Sequence, residues 1–254
     1  MKNRTPDIIA HRGANKKAPQ NTIPAFSAAI EDGCDGFETD VHLSKDGVPV
    51  ICHNYTVDAT SDGKGEIPSF TLKELKLLDF GSYFSEDFRG TPLPTLSEFL
   101  DLAVDGGVKI INIEIKCPKT EGEKLVIRTL EEIRKHGCME KVIISSFSPN
   151  ILKMVKKYAA ECKTAYLYPT NDPDICLPVF SPFLVAKSCG ADIIHPMAPL
   201  VSRALVMIAH RLGMKVNVWT VDDRVSARYL AACGVDGLIT DKPKEVREYL
   251  KDKK

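Results

Sequence analysis

A closed (β/α)8 barrel, a TIM barrel of the α/β class, is the fold this 254-residue chain predicts, and three observations carry that reading. Short apolar runs alternate with amphipathic stretches almost from end to end, which implies a parallel sheet with right-handed crossovers. Nine strand-like segments stand in the chain, but one is too close to its predecessor to be parallel, which leaves eight. The length matches the roughly 250 residues that such barrels use for a single domain, here spanning 1–254. An open doubly wound sheet is the structural competitor, and eight βα units are more than it usually needs.

The first strand is DIIAH (7–11), followed by the helix TIPAFSAAIED (22–32), with Asn21 as its expected N-cap and Pro24 in its first turn. GFETDVHL (36–43) and VPVICH (48–53) come next, separated only by SKDG. That linker cannot cross over to a parallel neighbour, so the two must form a hairpin, with Asp46-Gly47 as a two-residue turn. Residues 54–92 interrupt the rhythm. Rich in Phe and Tyr, they read as a small insertion packed over the C-terminal face of the barrel, with its own aromatic cluster. The alternation resumes with a helix at 95–104, the strand KIINIEIK (109–116), a helix at 123–136 and the strand KVIISSF (141–147). A helix at 151–161 and strands at 164–168 and 191–195 follow, then helices at 203–213, 224–234 and 244–251 around strands at 216–221 and 236–240. Gly137, Gly213 and Gly234 stand where helices should stop.

Composition excludes some functions. A net charge of +0 gives no basic footprint for nucleic acid or an anionic membrane, so any phosphate must be held by a local cluster. No stretch approaches the ~20 apolar residues of a membrane span, and MKNRTPDIIA lacks the apolar run of a signal peptide, so a cytoplasmic protein without stable membrane association is expected. The eight cysteines include no C-x-x-C pair and several sit in apolar runs. Buried reduced thiols are expected, rather than a disulfide framework or a zinc site.

The strands explain where charge should go. Alternate residues of a barrel strand point inward. In KIINIEIK, Ile111, Ile113 and Ile115 should pack outward, while Asn112, Glu114 and Lys116 face the interior. In GFETDVHL the inward set is Glu38, Asp40 and His42. A two-residue turn at Asp46-Gly47 pairs residues whose numbers sum to 93 and sets Asp40 opposite His53, with Cβ atoms roughly 5 Å apart. Three inward carboxylates repel one another and resist desolvation, and a hard divalent cation, Mg²⁺ or Ca²⁺, removes that cost with oxygen ligands alone. The competing reading is a metal-free ion-pair network built on Arg12 and Lys116. His11 and Arg12 end the first strand, so two imidazoles, three acids, an Arg and a Lys gather at strand C-termini, where barrel active sites lie. That set suits a phosphodiester: cations hold the anionic phosphorus centre while one imidazole removes a proton and the other returns one. His42 and His195 are lesser candidates, and His136 and His210 lie on helices.

The segments AHRG (10–13), QNTIPAF (20–26), FETDVHLSKDGVPVICHN (37–54), NIEIK (112–116), ISSF (144–147), VNVWTV (216–221) and DGLITDKP (236–243) together resemble the glycerophosphodiester phosphodiesterase family. The resemblance runs from residue 8 to about 250 and implies hydrolysis of glycerophosphodiesters, such as glycerophosphocholine or glycerophosphoethanolamine, to sn-glycerol 3-phosphate and an alcohol. It implies His11 and His53 as the acid/base pair, and Glu38, Asp40 and Glu114 as ligands of one Mg²⁺ or Ca²⁺. Arg12 and Lys116 would contact the phosphate, and Phe147 and Trp219 would wall the glycerol. Three positions depart from the family pattern: Gln20 where Glu is frequent, Asn54 where Asp is frequent, and Ala59 where Arg is frequent. The alternatives are a lysophospholipid- or phosphoinositide-type phosphodiesterase on a related barrel, and a non-catalytic barrel that binds a phosphorylated ligand.

Overall fold

The computed structural model describes residues 5–116, 122–168 and 182–251. β1 (Asp7–His11) leads through α1 (Ile23–Glu31) into β2 (Gly36–Leu43), which folds back as β3 (Pro49–Ile51). A segment carrying the short α2 (Leu72–Leu75) precedes α3 (Leu96–Asp105). Strand and helix then alternate: β4 (Ile110–Ile115), α4 (Gly122–Lys135), β5 (Val142–Ser146), α5 (Pro149–Tyr158), β6 (Lys163–Tyr168) and α6 (Pro182–Ser188). The series closes with β7 (Ile193–Pro196), α7 (Arg203–Arg211), β8 (Lys215–Val218), α8 (Arg224–Cys233), β9 (Gly237–Thr240) and α9 (Pro243–Lys251). The strands run in the order β1-β9-β8-β7-β6-β5-β4-β2, and β1 pairs with β2 to close the ring. Every pairing around that ring is parallel, and β3 adds antiparallel to β2. Among the described residues the barrel therefore has the eight parallel strands expected.

The hairpin register differs from the expected one by a residue. Val41 pairs with Ile51 and His42 with Val50, so Asp40 does not stand opposite His53. The cause lies in the turn. Gly47 donates to the Ser44 carbonyl (2.9 Å) and Ser44 donates to the Val48 carbonyl (3.0 Å), so the loop is Lys45-Asp46-Gly47. Gly47 sits at φ +79°, the left-handed third position of a three-residue hairpin loop. Asp40 accepts instead from the Cys52 amide (3.1 Å), and His53 lies beyond the end of β3.

Two helix details also differ. The N-cap of α1 is Thr22, whose Oγ1 accepts from Ala25 N, and not Asn21, which has φ 57°. Pro24 is in the first turn as expected. α6 occupies the interval between the strands at 164–168 and 191–195, where the alternation calls for a helix but no span was singled out; seven residues are too few to display a period.

The alternation inside β4 sorts as expected. Ile111, Ile113 and Ile115 are wholly buried against α3 and α4, in a cluster that includes the ring trio Phe26, Phe37 and Phe99. Inside the barrel, Ile143, Ala165 and Ile193 form an apolar floor. Three aspartates preceding strands tie neighbouring strands together. Asp35 Oδ2 accepts from Ile8 N (2.9 Å), Asp192 Oδ2 from Thr164 N (2.8 Å) and Asp236 Oδ2 from Val216 N (2.9 Å). Each carboxylate also meets a cation or imidazole: Arg247 and Lys109, Lys156, and His210 respectively.

Between β3 and α3 the chain packs a cluster of its own: Val50, Cys52, Val57, Ile67, Leu75, Phe80 and Leu93. It is chiefly aliphatic, contrary to the aromatic cluster expected. Phe70 packs at its edge, whereas Tyr55, Tyr83 and Phe84 are exposed and lie outside the cluster. The six cysteines among the described residues are free thiols. No helix among those residues is long and apolar enough to cross a membrane.

Candidate active site

The β2 and β4 strands pair in register, with Asp40 beside Glu114 and Glu38 beside Asn112, so the inward acids of both strands converge. One oxygen from each of Glu38, Asp40 and Glu114 lies within 4.8 Å of the others. All three residues are buried. Lys116, also buried, places its ammonium 2.7 Å from Asp40 Oδ1 and 2.8 Å from Glu114 Oε1. Arg12 Nε stands 3.5 Å from Asp40 Oδ2.

Two cations thus face three carboxylates, and the remaining charge is felt. Burial and the Asp40 charge push Glu38 well above the usual carboxylate range, against the pull of Arg12. Burial likewise raises Glu114 to about 7, although Lys116 opposes it. Asp40 goes the other way: burial raises it, but Lys116, Arg12 and His53 together hold it well below the usual range. An oxygen-only donor set with one uncompensated charge fits a hard divalent cation, and the cluster could hold one.

The loop after β1 is shaped to bring Arg12 there. Arg12 adopts left-handed backbone (φ 55°), its amide donating to the Glu38 carbonyl (2.9 Å) and Oε2 (3.2 Å). Gly13 follows at φ +82°, where any Cβ would lie 2.6 Å from the Ala25 carbonyl carbon. Such backbone persists only where surrounding contacts hold it. Gln20 Oε1 accepts from Arg12 Nη1 (2.7 Å), so the departure at position 20 retains an acceptor for the guanidinium. Asn21 Nδ2 donates to Asp40 Oδ2 (2.8 Å) and its Oδ1 accepts from Thr39 Oγ1 (2.9 Å).

The two imidazoles are held from behind. His11 Nδ1 lies 2.6 Å from Asp241 Oδ1, and its Nε2 lies 3.9 Å from Glu38 Oε2. His53 Nδ1 lies 2.7 Å from Asn54 Oδ1. An amide oxygen only accepts, so Nδ1 carries the proton and Nε2 is the free nitrogen of neutral His53. Burial first, then Lys116 and Arg12 outweighing Asp40, pushes His53 down to about 4. Asn54 thus orients its neighbour without adding a charge.

A cavity of about 200 Å³ opens over these groups. It is lined by eight of the nine residues singled out from the sequence: His11, Arg12, Glu38, His53, Glu114 and Lys116, with Phe147 and Trp219. The ninth, Asp40, lies beneath as part of the carboxylate cluster. Phe147 and Trp219 meet edge to face at 5.8 Å, and Trp219 Nε1 donates to the His195 carbonyl (2.7 Å). Asn112, Leu167 and Ile239 complete the wall. The last two were not anticipated, although their inward position on β6 and β9 could have marked them. Asn21 was misread as a helix cap, and Asp241 was passed over although it directly follows the last barrel strand. His42 is buried with its ring against Tyr55 and its Nε2 3.4 Å from the His53 carbonyl; it does not line the cavity, nor does His195. His136 and His210, on or beside α4 and α7, lie near Asp101 and Asp236.

Known proteins carry the same arrangement of fold and sequence. Residues 11–245 match the model of the glycerophosphoryl diester phosphodiesterase family. A glycerophosphodiester phosphodiesterase from Caldanaerobacter subterraneus is 39% identical over 236 residues, covering 93% of this chain and 94% of that protein. One from Bacillus altitudinis is 30% identical, covering 96% of this chain and 99% of its own length. Among solved structures, an Oleispira antarctica phosphodiesterase in complex with the product sn-glycerol-3-phosphate superposes with a TM-score of 0.90 at 27% identity, over 98% of each chain. The extent of the family match and the identity to whole-length relatives are decisive: this chain belongs to the glycerophosphoryl diester phosphodiesterase family of phosphoric diester hydrolases.

Proposed function

We propose that the protein hydrolyses glycerophosphodiesters such as glycerophosphocholine and glycerophosphoethanolamine to sn-glycerol 3-phosphate and an alcohol. One observation carries the reading: two imidazoles, each anchored through Nδ1, open onto a single cavity above a buried trio of carboxylates. Glu38, Asp40 and Glu114 hold one Mg²⁺ or Ca²⁺, which supplies positive charge to the phosphodiester. Arg12 and the remaining donor of Lys116 face the phosphate oxygens and stabilise charge that builds there in the transition state. Phe147 and Trp219 wall the glycerol.

His11 and His53 are the acid/base pair. One imidazole takes the proton from the glycerol hydroxyl next to the phosphate as its oxygen forms a bond to phosphorus. The other gives a proton to the departing alcohol oxygen as its P–O bond breaks. The roles reverse as water adds to the cyclic phosphate and the ring P–O bond opens. The segment 54–92 serves as an insertion over the C-terminal face, and contact between Gln20 N and Tyr83 OH (3.2 Å) supports that placement.

Incubation with glycerophosphocholine and Mg²⁺ or Ca²⁺ should release glycerol 3-phosphate and choline, and EDTA should stop the release. Phosphocholine as the product would assign cleavage to the wrong bond. His53→Ala should lower turnover by roughly 10²- to 10⁴-fold while the melting temperature holds; full activity in that variant would remove His53 from the chemistry.

A further inference from the structure

Asp241 is the first residue after β9, and barrel closure sets that strand beside β1, whose last residue is His11. Its carboxylate is committed on both oxygens. Oδ1 accepts from Asn15 Nδ2 (2.6 Å) and lies 2.6 Å from His11 Nδ1, while Oδ2 meets Lys16 Nζ at 3.0 Å. Asn15 Nδ2 also donates to the His11 carbonyl (2.9 Å), so one amide clamps both partners. From the other side, the Asp241 amide donates to Asp222 Oδ1 (2.8 Å), an oxygen that also accepts from Thr240 Oγ1 (2.9 Å). Asp222 belongs to the loop after β8 that carries Trp219.

We propose that Asp241 is a positioning residue for catalysis: its carboxylate holds the proton of His11 on Nδ1 and turns Nε2 into the cavity, with Asn15 fixing the carboxylate and Asp222 the backbone behind it. The inference rests on the acid/base role given to His11 above. Its physical basis is the tautomer. A neutral imidazole carries one proton, and a carboxylate at Nδ1 accepts that proton's hydrogen bond, so Nε2 stays available for transfer. A carboxylate behind an imidazole also favours the charged ring formed when Nε2 takes up a proton. The His53–Asn54 pair has the same geometry with a neutral amide, so it sets direction without that charge. Asp241 is separated from His11 by 230 positions, and its carboxylate meets side chains, those of His11 at the end of β1 and of Asn15 and Lys16 in the loop that follows, so its removal should not unpair the sheet.

The test uses the full-length, metal-loaded protein. Asp241→Ala should lower kcat for glycerophosphocholine on the order of 10²- to 10⁴-fold, with KM changed less than about threefold. Asp241→Val, which fills the space without any hydrogen-bond acceptor, serves if the alanine variant does not fold. Nitrogen-15 NMR of histidine-labelled protein in alkaline buffer supplies a readout that needs no turnover. His11 should carry its proton on Nδ1 in the wild type and move it to Nε2 in Asp241→Ala. A fall in kcat with the His11 tautomer unchanged would reduce Asp241 to a structural residue, and a variant retaining more than about one-tenth of wild-type kcat would overturn the proposal. Failure of the wild type to cleave glycerophosphocholine would instead count against the proposed function, while the tautomer measurement still decides the role of Asp241.

Discussion

Position 21 shows how one side chain can be read correctly for its type and wrongly for its task. An asparagine before a helix is a good N-cap, yet here the chain takes left-handed backbone at φ 57°, passes the cap to Thr22, and frees the amide for Asp40. Asparagine tolerates that backbone better than most residues. Asn21→Gly keeps the conformation and removes only the amide. Divalent-cation affinity, measured by calorimetry, should fall by about 10- to 100-fold, the usual cost of losing a partner that orients a ligand. An affinity unchanged within about twofold would show that Asp40 holds its place without Asn21. Gln20 and Asn54 teach a related lesson: each replaces an acid frequent in the family, and each still accepts a hydrogen bond from the group it supports.

Elements at the two ends of the barrel do different work. Residues at the C-terminal ends of strands line the cavity, whereas the aspartates before β2, β7 and β9 accept backbone N–H groups of the neighbouring strand. Conserving stability belongs to that lower face. Asp236→Ala would leave the Val216 N–H without its acceptor and should cost about 1–3 kcal/mol. For a chain of this size that is a fall in Tm of roughly 2–12 °C by calorimetry, with kcat unchanged within about twofold. The His210 contact adds little to that figure, since both partners are partly solvated. A large loss of kcat in the variant would show that the staple reaches the site.

The hairpin belongs to this scale too. Period-two alternation identified which residues of β2 face inward, but the pairing partner of Asp40 depended on whether the loop has two residues or three. The left-handed Gly47 made it three. His53 reaches the cavity all the same, because the chain leaves the ladder before it and is free to turn inward.

For the molecule as a whole, the barrel interior sets a limit on acid stability. His195 is fully buried beside Asn217 (3.2 Å), and burial pushes it down to about 3 from its ordinary 6.5. The unfolded chain binds this proton near 6.5 and the native barrel only near 3, so the unfolded state carries more protons between those values. The sign is therefore fixed: this contribution is intact above pH 6.5 and is lost progressively as pH falls toward 3. At pH about 4.5 the loss should reach about 2–3 kcal/mol. His195→Gln, which does not titrate, should lose less Tm than the wild type between pH 7 and about 4.5. Equal losses in both would show that His195 is not what acid attacks.

What the sequence alone determined is whatever local rules decide. The number of parallel strands follows from connection length, and the inward set Glu38, Asp40, Glu114 and Lys116 from the alternation of side chains along a strand. Gly137, Gly213 and Gly234 marked the ends of three helices for the same reason. Closure of the barrel decided the rest. Asp241 meets His11 only because the last strand pairs with the first across 230 positions, and Asn21 meets Asp40 only because a left-handed turn folds its loop back over β2. Hydrogen-bond partners of that kind are chosen by distance in space, which no spacing along the chain records.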